Sequence, residues 1–170
     1  MIEYVQGNIF EFEPGTHKAI VNPVNCVGIM GKGLALEFKK RFPENYKFYR
    51  ECCDKKILEP GILCISDYRP TARHVNMTAL TGIIGSIWGE LSPWDYIVNF
   101  PTKVHWRDKS ILRDIEWGLR SLQLFILEQE VKSIALPKLG CGLGGLDFED
   151  VKPIIERELD GLECRVVVYK

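Results

Sequence analysis

The chain has 170 residues, a length that suits one domain able to bury roughly 70% of its unfolded surface. Apolar residues make up 46% and charged residues 26%, which excludes a disordered chain and points to an ordinary soluble one. Lys plus Arg (22) against Asp plus Glu (23) leaves a net charge of −1, so no global basic field exists and any grip on nucleic acid must be local.

Ile2 to Val5 alternates weakly and predicts a first strand, closed by Gly7-Asn8. Lys18 to Asn22 predicts a second, with Ala19, Ile20 and Val21 in a row as in a strand covered on both faces. Val21-Asn-Pro-Val-Asn-Cys-Val-Gly-Ile-Met-Gly-Lys-Gly33 follows, with three glycines within six positions before a helical pattern from Leu34. Strand, glycine-rich turn and helix N-terminus aim free N–H groups and a positive dipole end at one point, which suits an anion such as phosphate. Leu34, Phe38, Phe42 and Tyr46 recur at helical spacing and predict a helix from about Gly33 to Phe42. Pro43 interrupts it, and a second helical piece runs from Glu44 to Cys53. Gly61 to Ser66 is apolar and predicts a strand.

The segment from Asp67 to Trp94 holds two prolines, three glycines and a run, Leu80 to Trp88, too apolar for a solvated linker. It is expected to be an inserted excursion lying beside the ligand crevice. Asp95 to Phe100 predicts a strand stopped by Pro101. Asp108 or Ser110 can cap the next helix, whose apolar face is Ile111, Ile115, Leu119, Leu122 and Ile126. Ser133 to Pro137 is a buried strand, and Leu139 to Leu146 a second glycine-rich loop. Asp147 then caps a helix with Val151, Ile154, Ile155 and Leu159 inward, and Cys164 to Tyr169 is the last strand. Strands alternating with helices imply an α/β layered sheet with ligands where loops leave the strand ends. The two glycine-rich loops would line one crevice suited to a diphosphate.

The N-terminus lacks a basic region followed by a long apolar run, so no signal peptide is expected. Val75 to Gly89, the longest uncharged stretch, falls short of the ~20 apolar residues of a membrane span. Cys26, Cys52, Cys53, Cys64, Cys141 and Cys164 show no C-x-x-C spacing, and His17, His74 and His105 do not cluster with them. Reduced thiols, a cytoplasmic location and neither metal nor cofactor are therefore expected.

Gly28-Ile-Met-Gly-Lys-Gly is too short for a P-loop, and no Ser or Thr follows Lys32 to hold Mg²⁺. Gly140-Cys-Gly-Leu-Gly-Gly satisfies G-x-G-x-x-G, which leaves a nicotinamide dehydrogenase as a weaker alternative. Against it, one helix and one strand follow, and position 165 is Arg rather than an acid. Cys141 between two glycines is either a nucleophile at a helix N-terminus or a small residue admitted beside phosphate. Lys103 ends a buried strand, a common place for functional side chains, although many such lysines are only solvated. His105, Trp106 and Arg107 supply an aromatic face and donors that could stack on a base.

Taken together these residues resemble the macrodomain family, over nearly the whole chain. The matches are Gly7-Asn8-Ile9, Val21-Asn22-Pro23-Val24-Asn25 with Gly28 to Gly33, and Leu136-Pro137-Lys138-Leu139-Gly140-Cys141-Gly142-Leu143. Within the family, Asn25-Cys-Val-Gly-Ile-Met-Gly-Lys-Gly and Phe100-Pro-Thr-Lys-x-His-Trp-Arg are similar to the branch that holds the DarG antitoxins and the terminal ADP-ribose protein glycohydrolase. The resemblance implies one macrodomain over residues 1–170, with three α/β/α layers around a central mixed sheet. It implies an ADP-ribosyl glycohydrolase acting on thymine bases of single-stranded DNA, without a cofactor and with a DarT-like toxin as a partner.

By the same resemblance, Gly28, Ile29, Met30, Gly31, Lys32 and Gly33 would wrap the diphosphate together with Leu139, Gly140, Cys141, Gly142, Leu143 and Gly144. Asn25 would hold the distal ribose and Asn22 would support it or the glycosidic bond. Asn8 and Ile9 would meet the adenine, Lys103 would be catalytic, and His105 and Trp106 would touch the base. Two positions depart from the pattern. Asn8 stands where an Asp usually faces the adenine, and Gly144 stands near where the protein glycohydrolase carries an acid. Lys103 could act as an ammonium that stabilises or protonates the leaving base, or as an amine that attacks C1″. A non-catalytic ADP-ribose reader, or a hydrolase of ester-linked ADP-ribose on proteins, would use the same loops.

Overall fold

In the computed structural model the short apolar runs become strands and the amphipathic stretches become helices. In chain order these are β1 (Ile2–Val5), β2 (Lys18–Val24), α1 (Gly33–Arg41), α2 (Pro43–Asp54), β3 (Leu63–Asp67), β4 (Asn76–Thr78), β5 (Gly82–Ser86), β6 (Tyr96–Pro101), α3 (Leu112–Glu128), β7 (Ser133–Pro137), α4 (Phe148–Leu159) and β8 (Arg165–Tyr169). The structure describes residues 1–13, 17–70, 76–78 and 82–170.

One mixed sheet runs in the order β1-β8-β7-β2-β6-β3-β5-β4. From β1 through β6 every pairing is parallel, whereas β3 runs antiparallel to β6 and β4 antiparallel to β5. Alternation along each strand splits the core into two faces. Val21, Val98 and Leu136 pack against Ile115, Leu119 and Leu122 of α3 and Val151 and Ile155 of α4. On the opposite face Ile20, Ile97 and Ala135 meet Phe38 of α1, while Val24 and Cys64 meet Tyr49 and Cys52 of α2. Three layers result, as the resemblance implies. Gly118 brings α3 close to the sheet, since a Cβ there would lie 2.2 Å from the Phe100 ring.

β2 runs two residues beyond the expected strand, through Pro23. Its pairing with β7 ends at Ile20, so a proline at position 23 breaks no bond on that side. The Asp67–Trp94 excursion supplies β5 and β4, the edge of the sheet opposite β1. Glu90 ties it to α2 by accepting from the Tyr68 hydroxyl (2.6 Å) and the Glu44 amide (2.9 Å). Trp94, at its end, is buried and stacks on Phe12. Part of the Leu80–Trp88 run lies outside the described residues.

Neither expected cap serves α3: its N-cap is Ile111, with no side-chain cap bond. The Asp108 carboxylate accepts from the His105 amide (2.9 Å), and Ser110 gives its amide to the Gly144 carbonyl (2.9 Å). Both hydrogen-bond within the loops around the strand ends. Ile111 is exposed rather than inward. Asp147 caps α4 as expected, accepting from the Glu149 amide. Among the described residues no helix is long and apolar enough to cross a membrane.

Candidate functional site

Because β1, β8, β7, β2 and β6 are parallel, their C-terminal ends meet on one side, where an open α/β sheet offers a crevice. A crevice of about 870 Å³ lies there. Both glycine-rich loops line it, loop 1 (residues 25–33) through Asn25, Ile29, Gly31, Lys32 and Gly33, and loop 2 (residues 138–146) through Lys138, Gly140, Gly142, Leu143 and Gly144. No described residue of the Asp67–Trp94 excursion lines it, against the expectation that the excursion lies beside the ligand, and residues 71–75 and 79–81 fall outside the described residues. β4 and β5 form the far edge of the sheet, and Ile83 of β5 shares a buried cluster with Met30 beneath loop 1 without entering the crevice.

Loop 1 is built around the Asn25 side chain. Its Oδ1 accepts from the amides of Val27 (3.0 Å) and Ile29 (3.3 Å), and its Nδ2 donates to the Ile29 carbonyl (2.7 Å). Gly28 turns the chain at φ +80°, a region that L side chains rarely adopt. Most of the Asn25 polar capacity is therefore spent on the loop, with one Nδ2 hydrogen left for a ligand.

Loop 2 turns at Gly140, whose φ is +73° and whose Cβ would lie 2.8 Å from Leu146. The Cys141 thiol donates to the Leu139 carbonyl (3.3 Å), and burial pushes its pKa up, so it stays protonated. That favours the small residue over the nucleophile. At Gly144 a Cβ would stand 2.3 Å from the Ser110 hydroxyl and 2.4 Å from the Gly140 carbonyl oxygen. Glycine there is a steric requirement, and an acid cannot take its place without moving the loop. Gly142 is different: a Cβ would meet nothing within 4 Å.

Lys103 sits where β6 continues past its last sheet residue. The Thr102 amide donates to the Val24 carbonyl (2.9 Å) and the Cys26 amide to the Val104 carbonyl (2.8 Å), so the backbone around Lys103 is tied to loop 1. Its Nζ donates to the Asp108 carbonyl (3.2 Å). Loss of surrounding water lowers the Lys103 pKa, Asp108 opposes that shift and Lys109 adds to it. Beside it Trp106 is 46% exposed, with the Arg107 guanidinium 4.5 Å from its ring centroid and His105 at 5.3 Å.

Lys32, Lys103, Arg107, Lys138 and Lys170 line the crevice, and no Asp or Glu does among the described residues. A chain of net charge −1 thus concentrates positive charge where backbone amides gather. Of the expected site residues, Asn8, Ile9, Asn25, Ile29, Gly31, Lys32, Gly33, Lys103, Trp106, Gly140, Gly142, Leu143 and Gly144 line it. The Asn8 side-chain oxygen also caps a short 3-10 turn by accepting from Phe10 (3.1 Å).

Asn22, Gly28, Met30, Leu139, Cys141 and His105 do not line the crevice. Met30 and Leu139 are core residues. Asn22 is fully buried and donates to Asn99 Oδ1 (2.9 Å), in a chain of amides that continues through Asn45 to Ser66. From that position it underlies the crevice through its hydrogen bonds and does not line it. The pattern reading missed Lys138, Tyr169 and Lys170 as lining residues. Their signal was positional: each is the last residue of a parallel strand or the next one after it.

The macro domain family model matches residues 21–155. Over 171 aligned residues the chain is 40% identical to the DNA ADP-ribosyl glycohydrolase of Thermus aquaticus, covering 100% of this chain and 41% of that protein. The chain therefore spans about two fifths of the length of that curated relative. Among solved structures, the macrodomain of Thermus aquaticus DarG superposes with a TM-score of 0.81 at 40% identity, over 100% of this chain and 98% of that one. Thermosipho africanus DarTG in complex with ADP-ribose superposes with a TM-score of 0.77 at 34% identity, over 99% of this chain and 41% of that one. The family match takes in most of the sequence and the superposed folds take in nearly all of it: the chain belongs to the macro domain family.

Proposed function

We propose that this chain is an ADP-ribosyl glycohydrolase that releases ADP-ribose from thymine bases of single-stranded DNA. The observation that carries the reading is Lys103, held on a strand end within a crevice that both glycine loops line and no described Asp or Glu does. Free loop amides and Lys32 would hold the diphosphate, Asn8 and Ile9 the adenine end, and the remaining Asn25 N–H the distal ribose. The modified thymine would then face Lys103, with Trp106 offering it a stacking surface.

Cleavage at C1″ builds oxocarbenium character on the ribose and negative charge on the departing base. Lys103 as an ammonium would stabilise or protonate that base. Among the described residues no carboxylate lines the crevice, and loss of surrounding water lowers the Lys103 pKa, so the pH dependence of the rate is what separates the ammonium from the amine nucleophile. With Gly144 sterically fixed, no acid assists from loop 2 either, and the Thermus aquaticus relative carries the name DNA ADP-ribosyl glycohydrolase.

The test compares turnover of thymidine-linked and glutamate-linked ADP-ribose by wild type and Lys103→Ala. We expect cleavage of the thymidine-linked compound, lost by at least ~10²-fold in Lys103→Ala as for removal of one charge-stabilising group. ADP-ribose affinity should change by less than about tenfold, ~1.4 kcal/mol. Full activity in Lys103→Ala would sink the mechanism. Binding without turnover of either compound by wild type would establish the reader instead, and preference for the glutamate ester would move the substrate to protein.

A further inference from the structure

One side of α2 turns polar groups inward beneath loop 1, with Asn45 and Tyr49 buried and Tyr46 half-buried. Asn45 joins the amide chain under β6, Tyr46 donates to the Gly28 carbonyl (3.3 Å), and Tyr49 reaches Asn25. The fully buried Tyr49 hydroxyl donates to the Asn25 backbone carbonyl at 2.8 Å and to its Oδ1 at 2.9 Å, a bond shared between the two. Burial raises the phenol pKa, so the group remains a donor. The same Oδ1 collects the Val27 and Ile29 amides. A single side-chain oxygen thus sets the curl of loop 1, and Tyr49 holds that oxygen from below.

We propose that Tyr49 is a positioning residue for ligand binding: through Asn25 its hydroxyl fixes loop 1 in the shape that presents free amides to a diphosphate. The inference rests on reading the crevice as an ADP-ribose site. Loop 1 carries glycines at 28, 31 and 33, so its own backbone supplies little stiffness. With the Asn25 amide free to rotate, Val27 and Ile29 lose their acceptor and binding must first order the loop, a cost that a preformed loop avoids. The Lys103 ammonium lies off this network, since its Nζ bonds to the Asp108 carbonyl, and only the Lys103 backbone is tied to loop 1, through Cys26. Tyr49 should therefore govern affinity and not the bond-breaking step.

Tyr49→Phe removes the hydroxyl and keeps the buried ring. In the intact chain, amide exchange at Val27 and Ile29 should quicken roughly tenfold while Ala19 to Val21 in β2 stay protected. The ADP-ribose dissociation constant should rise by roughly tenfold, with kcat at saturating modified thymidine within about twofold of wild type. Adding Asn25→Ala to Tyr49→Phe should weaken binding no further than Asn25→Ala alone, because the two act as one unit. Unchanged affinity in Tyr49→Phe, or full additivity with Asn25→Ala, would overturn the proposal. A drop in kcat at unchanged KM would also overturn it. Wild-type protein that binds no ADP-ribose would overturn the functional reading instead, and the exchange rates would still decide whether Tyr49 shapes the loop.

Discussion

Replacing Gly142 with valine would put three carbons into the open side of loop 2, where a Cβ meets no heavy atom within 4 Å. The glycine φ there is not in the left-handed region, and its only backbone bond is made by its carbonyl, which accepts from Gly145 (3.1 Å). Folding should then change by no more than the ~0.5 kcal/mol of an ordinary surface substitution, or about 2 °C in Tm for a chain this size. Binding should suffer heavily. The branched side chain occupies space that a diphosphate must enter to reach the loop amides. Loss of two hydrogen bonds to a charged group, at ~1.5–3 kcal/mol each, amounts to about 3–6 kcal/mol. That is a rise of roughly 10²–10⁴ in the ADP-ribose dissociation constant. Titration calorimetry reads the affinity and a thermal melt without ligand reads the fold. Normal binding by a well-folded Gly142→Val would refute the diphosphate role of loop 2.

Gly144→Ala should behave in the opposite way, losing about 1–3 kcal/mol of stability in urea denaturation through its collision with Ser110 and the Gly140 carbonyl. Asn99→Leu should cost ~3 kcal/mol or more on the same assay, because Asn22, Asn45 and the Cys64 carbonyl each lose a buried partner. The rate on modified thymidine should fall as pH rises through the lowered pKa of Lys103, sooner than an ordinary lysine would allow, since the cation is present only below it. A limb that rises with pH would recast Lys103 as an amine nucleophile. Trp106→Ala should raise KM for a modified oligonucleotide by about tenfold, in the range of one lost base stack, and leave ADP-ribose affinity unchanged. Equal KM values for the variant and wild type would remove Trp106 from the substrate site.

Elements with strong periodicity or local chemistry were legible in the sequence. β7 spans Ser133–Pro137 and Asp147 caps α4, both at the expected positions, because a buried apolar run and an Asx cap are decided by neighbours in sequence. The convergence of the two glycine loops followed from their place after parallel strands. What failed depended on distant partners. Ser110 reads as a cap, but its amide bonds to the Gly144 carbonyl far along the chain, and the N-cap falls one residue later, at Ile111, with no side-chain cap bond. Leu80 to Trp88 reads as a cover, but an apolar run can equally become a sheet edge, and β3 recruits β5 beside it. Asn25 reads as a ligand, and its burden of loop hydrogen bonds appears only once Tyr49 has been folded beneath it. The positive lining of the crevice was invisible in a balanced net charge, because five cations contributed from beyond the ends of four strands sum only in space.

The fit of loop 2 against Ser110 also bears on which chemistries this scaffold can acquire. At position 144 a single substitution to an acid would dislodge the loop before its carboxylate met a sugar, so that mutational step is closed by Ser110 and the Gly140 carbonyl together. Position 142 faces open space in the same loop, and an Asp or Glu could enter the crevice there without any prior change. A descendant of this chain that adopted carboxylate-assisted cleavage would therefore reach it through 142, at the expense of the diphosphate, before 144, which opens only once Ser110 and the Gly140 backbone have both moved. That order of events is a trace to seek in the sequences of its kin.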